Sequence, residues 1–191
     1  MERLTARLAS RNPNKARELE RLMAGWTILP LEADDYPPED AETYYENARG
    51  KAVFGRGKAE RDAWVLGEDS GLEVEGLDGG PGIRSARSGG DDPVAWLLAE
   101  LASVSGEGRR ARYVSELVAL SPDGRELRGT GTLDGSIAES PRGSEGFGFD
   151  PVFVPLGEER TVAELGNEWK AGHSHRAGAA RALLALLADA G

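Results

Sequence analysis

The chain has 191 residues, 39% apolar and 29% charged, with a formal net charge of −10 and no cysteine. That length suits a single domain over residues 1–191, one core with two lobes, and the composition is that of an ordinary soluble protein. The negative balance argues against a nucleic-acid partner, which would need a basic surface, yet leaves room for one small anion met by a few local cations. No apolar run approaches membrane-spanning length, MERLTARLAS lacks a signal-peptide apolar segment, and without cysteine there is neither disulfide nor thiolate metal site, so a cytoplasmic location without membrane partners is expected.

Leu4 to Ala9 alternates like a strand, and Ser10 to Pro13 has turn chemistry. Asn14 to Ala24 has helical apolar spacing at Ala16, Leu19, Leu22 and Met23, closed by Gly25. Thr27 to Leu31 reads as a strand, and Thr43 with Glu46 opens a helix through roughly Ala59. Trp64 to Glu68 and Leu72 to Leu77 read as two short strands separated by Asp-Ser-Gly, a good turn sequence. Asp92-Pro93 starts a helix, Ala111 to Leu120 and Glu126 to Leu133 flank the hairpin signal SPDGR, and HRAGAARALLALLADAG is an amphipathic helix. Strand–helix alternation followed by a hairpin predicts an α/β fold with a mixed sheet.

The sparse residue types carry more information than the abundant ones. There are four lysines (15, 51, 58, 170) against nineteen arginines, four asparagines (12, 14, 47, 167), two histidines (173, 175) and no glutamine. Lysine is a compact point charge suited to phosphate, so its retention in an arginine-rich chain either marks function or is what a codon bias left behind.

Five segments could carry chemistry. SRNPNK joins a strand to a helix, where Ser10, Asn12, Asn14, Lys15 and the helix N-terminus could cradle phosphate or simply cap the helix. A lysine there is electrostatically unfavourable unless an anion sits beside it. ETYYENARGK puts Asn47 and Lys51 on one helix face after the loop carrying Glu39; that face could equally be solvated. Glu68 and Asp69 end an apolar run and could offer hard oxygen ligands to magnesium, or form an acidic turn with Ser70. In GSEGFGFDPVFVP, Phe147, Gly148, Phe149 and Asp150 are either a buried strand or an apolar platform for a base. NEWKAGHSHR brings Lys170, His175 and Arg176 together, and with no third nitrogen or sulfur ligand in the chain its His-x-His pair does not make a zinc site. Most of the rare residues fall in or beside three of these segments. Together they read as a site for a nucleotide and a divalent cation.

In this order, SRNPNK, ENARGKA, EDSGLEVEGLDGGPGIRSAR, GFGFDPVF and Lys170 with SHR resemble the inosine triphosphate pyrophosphatase family, also described as the dITP/XTP pyrophosphatases. The resemblance implies an elongated α/β fold with a long, curved mixed sheet, two lobes around a nucleotide cleft, and a homodimer. It implies Mg²⁺-dependent hydrolysis of ITP, dITP and XTP to the monophosphate and pyrophosphate. By the same resemblance Ser10, Asn12, Lys15 and Lys51 meet the phosphates, and Asp69 is general base and metal ligand. Ser70 touches substrate, Glu39 helps hold the metal, and Phe147 to Asp150, Lys170, His175 and Arg176 recognise the base. Glu68 stands where relatives usually have aspartate, and Phe149 where tyrosine or tryptophan is common. The competing readings are a Maf-like pyrophosphatase for other modified nucleotides and a nucleotide-binding module without catalysis. Arg176 and His175 are further expected to donate to the carbonyl at position 6 of hypoxanthine or xanthine, which adenine lacks.

Overall fold

The computed structural model describes residues 3–188. Its elements are β1 (Leu4–Ala9), α1 (Pro13–Leu22), β2 (Trp26–Pro30), α2 (Tyr44–Arg56), β3 (Trp64–Val74), β4 (Pro81–Gly82), α3 (Pro93–Glu100), β5 (Arg110–Leu120), β6 (Glu126–Ile137), β7 (Phe153–Pro155), α4 (Val162–His173) and α5 (His175–Ala188). Seven strands form one sheet in the order β2-β1-β3-β5-β6-β7, with β4 added against β3. β1 runs parallel to β2 and β3, whereas β3–β4 and β6–β7 are antiparallel, so the sheet is mixed as the alternation of elements predicts.

Contacts divide the chain into two compact units. One holds the described residues up to Asp69, residues 115–131 and those from Arg176 onward; the other holds residues 70–114 and 132–175. In the first, Leu8, Leu19, Met23, Trp26, Leu66, Leu117 and Leu183 form a core shared by sheet, α1 and α5. A smaller cluster of Ala48, Ala52, Val118 and Leu120 seats α2. The second unit has its own core around Leu72, Leu97, Tyr113, Phe149, Phe153 and Val162.

Helix starts follow local chemistry. Asn12 caps α1 through Asn14 N, with Pro13 at its favoured first position, so this helix begins one residue earlier than its apolar spacing suggests. Thr43 caps α2 and Asp92 caps α3, both as expected, although α2 ends at Arg56 rather than near Ala59. The expected last helix appears as α5, and its final three positions (189–191) lie outside the described residues.

The larger differences are two. The two short strands predicted around Asp-Ser-Gly are one continuous strand, β3, and only Glu75–Leu77 leaves it as a 3-10 turn. Pairing with β1 over Trp64–Gly67 and with β4 over Leu72–Glu73 holds Ser70-Gly71 extended, so sheet context overrides turn propensity. The strand is buried on both faces, which also hides the period-two pattern that would have revealed it. Helix α4 was absent from the sequence reading, although Thr161 and Glu164 form a full capping box at its start.

Candidate active site

Adjacent residues in a strand point to opposite faces. Glu68 and Asp69 are therefore not a side-by-side carboxylate pair: Glu68 shares its face with Leu66, toward α1 and α5, while Asp69 shares its face with Gly67, toward α2. Gly67 is what lets α2 come so near. A Cβ there would meet Ala48 O, the Ala52 amide nitrogen at 2.6 Å and Ala52 Cβ at 3.0 Å.

Glu68 is completely buried and surrounded by donors. Lys15 Nζ lies 2.6 Å from its Oε2, Arg176 Nε 3.0 Å from Oε1, and the Ser115 hydroxyl donates to Oε1 at 3.0 Å. Burial alone would raise the Glu68 carboxyl, but Arg176 and Lys15 outweigh it and hold the group well below the usual carboxylate range. Arg176 is 2% exposed, and its Nη1 donates to Glu18 at 2.5 Å. Burial works against its charge, and Glu68 and Glu18 more than compensate, keeping it fully cationic. The anion that justifies Lys15 in the first turn of α1 is thus the protein's own Glu68.

Asp69, 3% exposed, faces the other way. Lys51 Nζ donates to its Oδ1 at 2.9 Å and Asn47 Nδ2 to its Oδ2 at 3.1 Å. The same ammonium reaches the Glu68 carbonyl at 3.0 Å and pairs with Glu39 at 2.6 Å. Burial pushes the Asp69 carboxyl up; Lys51 pulls it back only in part, with Glu68 adding like charge. Burial opposes the Lys51 charge too, but Asp69 and Glu39 together carry it above the ordinary lysine range. One cation facing two carboxylates explains why the ammonium gains more than Asp69 does.

The SRNPNK loop is ordered by its own side chains. Ser10 Oγ accepts from Asn12 N at 3.1 Å, Asn12 Oδ1 from Asn14 N at 2.9 Å, and Asn14 Oδ1 from Arg17 at 2.6 Å. Ser10 and Arg11 also line a depression of about 700 Å³ with Leu31, Glu32, Asp34 and Tyr36.

In the second unit, GFGFDP is a turn, neither a strand nor a continuous platform. Phe149 goes into the core, while Phe147 stays half-buried with Lys170 Nζ 4.4 Å from its ring centre. Asp150 accepts from Phe147 N at 2.8 Å and pairs with Lys170 at 2.9 Å. Gly146, at φ +82°, is required here because a Cβ would strike the Asp150 carboxylate. Gly148 is exposed in the same turn, and Ser70 is half-buried in β3. His175 stacks on Tyr113, centroids 4.5 Å apart and planes 11° apart, and Tyr113 packs in turn on Phe153. A larger depression of about 820 Å³, lined by Glu73, Arg110, Arg112, Asp134 and Leu156 among others, contains none of the predicted site residues.

The structure thus groups Ser10, Asn12, Asn14, Lys15, Glu39, Lys51, Glu68, Asp69 and Arg176 in one unit, and Ser70, Phe147, Gly148, Asp150, Lys170 and His175 in the other. It differs from the sequence reading at Arg176, whose Nε and Nη1 are held by carboxylates rather than offered to a base, and at Phe149, whose ring is buried. Sequence reasoning missed Glu18, Ser115, Tyr113 and Gly67, and noted Asn47 without giving it a role. Glu18 had a signal: it lies three residues after Lys15 on the same face of α1.

Among the described residues no group of three or more His, Cys, Asp or Glu could enclose a metal. The donor set instead has two carboxylates, Asp69 and Glu39, converging on one ammonium. That fits a cation such as Mg²⁺, which takes one or two carboxylates and completes its shell with waters and substrate phosphates.

A buried acid on a central strand, a lysine paired with it and a capped loop at a helix N-terminus are the parts that a site for a phosphate-bearing anion needs. The chain belongs to the Ham1 family, whose model matches residues 6–186. It is 43% identical over 190 residues to the dITP/XTP pyrophosphatase of Thermus thermophilus, covering 95% of this chain and 91% of that one. Two solved structures are also similar. The Staphylococcus aureus Ham1 protein matches with a TM-score of 0.82 at 30% identity, over 98% of this chain and 100% of that one. The nucleoside-triphosphatase / dITP/XTP pyrophosphatase of Mycobacterium abscessus matches with a TM-score of 0.72 at 39% identity, over 98% and 100%. No helix among the described residues is long and apolar enough to cross a membrane.

Proposed function

We propose that the protein hydrolyses non-standard purine nucleoside triphosphates (ITP, dITP and XTP) to the monophosphate and pyrophosphate. The observation that carries this reading is Asp69, buried on β3 with one oxygen on Lys51 and the other on Asn47. The names of the relatives support it.

In the proposed reaction a water oxygen attacks the α-phosphorus, the bond from that phosphorus to the oxygen bridging to the β-phosphate breaks, and pyrophosphate leaves. Asp69 orients the water and takes its proton; its upward-shifted carboxyl is a better base than an ordinary aspartate. Lys51 and Lys15, each beside a carboxylate, shift toward the triphosphate and stabilise charge on the leaving group. The Ser10–Asn14 loop and the α1 N-terminus hold the remaining phosphate oxygens. Asp69 and Glu39 would hold Mg²⁺, and Glu68, with Oε1 on Arg176 and Ser115, would anchor those two groups rather than ligate. When bound, the cation screens the phosphate oxygens from the incoming water.

Phe147, Asp150, Lys170 and His175 form the base-recognition group, Phe147 supplying a stacking face and His175 a ring aligned by Tyr113. A cytoplasmic location goes with this reading, since the nucleotide pool is there, and the family resemblance adds a homodimer. The test is pyrophosphate release from ITP, dITP, XTP, GTP, ATP and CTP with and without Mg²⁺. Fast release from the first three only is the expected result; orthophosphate release, or turnover confined to pyrimidine or methylated nucleotides, would overturn it.

A further inference from the structure

Asn47 lies in the first turn of α2, is 5% exposed, and uses both ends of its side-chain amide. Its Nδ2 donates to Asp69 Oδ2 at 3.1 Å, and its Oδ1 accepts from the backbone N–H of Ala41 at 3.2 Å. Ala41 is two residues beyond Glu39 in the irregular acidic loop that precedes α2. One turn further along, Lys51 spans the same two elements, with Glu39 at 2.6 Å and Asp69 at 2.9 Å. Two side chains four residues apart on one helix face therefore each tie the acidic loop to the carboxylate on β3.

The polarity of the amide admits one orientation. Turned over, it would set a carbonyl oxygen against a carboxylate and an N–H against an N–H. No other uncharged side chain of this length offers a donor to Asp69 and an acceptor to Ala41 at once. A carboxylate has about four lone-pair positions, of which the two N–H contacts use one on each oxygen, so Asp69 is fixed in rotation while retaining acceptor capacity on both oxygens. The loop bond sets where the backbone carrying Glu39 comes to rest. Lys51 can leave the acids for a phosphate; Asn47, a neutral group with both ends engaged, has no such alternative.

We infer that Asn47 is a positioning residue that holds Asp69 at a fixed rotation and registers the Glu39 loop against it, so that the two acids keep their spacing when Lys51 turns to substrate. This inference rests on the pyrophosphatase reading, but half of it can be tested without substrate.

Two substitutions separate the two bonds. Asn47→Asp keeps the acceptor for Ala41 and loses the donor to Asp69; Asn47→Ala loses both. Backbone hydrogen exchange across residues 39–43 is measured by NMR without nucleotide, and kcat and KM for ITP at saturating Mg²⁺. In the native chain the Ala41 amide should exchange more slowly than those of Asp40 and Glu42. It should stay protected in Asn47→Asp and exchange about tenfold faster in Asn47→Ala, while amides of β6 are unchanged in both. In both variants kcat should fall about tenfold to a hundredfold with KM altered by less than about threefold, as expected for a lost hydrogen bond to a charged group away from the phosphate-binding loop. Equal protection of Ala41 and its neighbours in the native chain, or native kcat in Asn47→Ala, would overturn the inference. A native chain that releases no pyrophosphate would instead overturn the function, with the exchange pattern still deciding whether Asn47 ties the loop.

Discussion

Glu68 and Asp69 are consecutive residues of one strand, both buried, and each meets a different set of cations: Lys15 and Arg176 for Glu68, Lys51 for Asp69. Strand alternation makes this separation, and it gives two neighbouring acids different work. Glu68 faces two cations and a hydroxyl and is strongly ionised, which suits an anchor. Asp69 has fewer donors and a carboxyl pushed upward by burial, which suits a group that accepts a proton.

Asp69→Asn should therefore lower kcat for ITP by about 10²–10⁴-fold, the range for losing a positioned base. The variant should still fold but melt lower, because the new amide N–H must face either the Lys51 ammonium or the Asn47 N–H, both of which find an acceptor in native Asp69. Turnover within about tenfold of native at saturating Mg²⁺ would remove Asp69 from the base role.

Glu68→Gln should do the opposite, mainly harming stability. Removing one member of a buried ion cluster costs about 3–5 kcal/mol, or roughly 6–20 °C in melting temperature for a chain of this size. The pH dependence has a definite sign. The Glu68 carboxyl is lower in the folded than in the unfolded protein, so its contribution is present above the unfolded glutamate value, near pH 4.3, and is lost as pH falls toward the folded value. The gap between native and Glu68→Gln should be full at neutral pH and narrow progressively below about pH 4. A gap unchanged at pH 3 would mean that Glu68 stabilises by packing, without its charge.

Arg176→Lys should lower stability while leaving the ratio of kcat/KM for ITP over ATP within about threefold of native. Lysine replaces a planar fork, held by Glu68 and Glu18, with a single ammonium that cannot match both contacts. A tenfold collapse of that ratio would return Arg176 to the base pocket, where the sequence alone had put it.

How much was legible beforehand can be seen at particular positions. Lysines 15 and 51 stood out because the chain has so few, and the caps at Asn12, Thr43 and Asp92 follow from residue type. Asp69 stood out as a candidate acid beside Glu68, at the end of an apolar run. Its presentation was not legible, because Asp-Ser-Gly has turn propensity and only strands distant in sequence reveal that it is held extended. The ion pairs of Arg176 were not legible for a similar reason: its partners Glu68 and Glu18 are 108 and 158 residues away, and no local pattern records such a distance. Phe149 followed an alternation that looked like a platform until the turn at Gly148 sent the two rings to different places.

Gly67 tests how α2 is seated. Gly67→Ala would press a methyl group on the α2 backbone at Ala48 and Ala52, an overpacking cost of about 1–3 kcal/mol. Because Asn47 and Lys51 ride on that helix, kcat should fall by at least about tenfold even where the variant is fully folded. A folded variant with native turnover would show that the close approach of α2 to β3 is not needed to aim those side chains.

The central claim is water attack at the α-phosphorus of a purine triphosphate, and the most direct measurement is ITP turnover in water enriched in heavy oxygen, with both products weighed by mass spectrometry. The heavy oxygen should appear in inosine monophosphate, one atom per turnover, with none in pyrophosphate. Label in pyrophosphate, or release of labelled orthophosphate, would place the attack on another phosphorus and contradict the assignment of Asp69, Lys15 and Lys51.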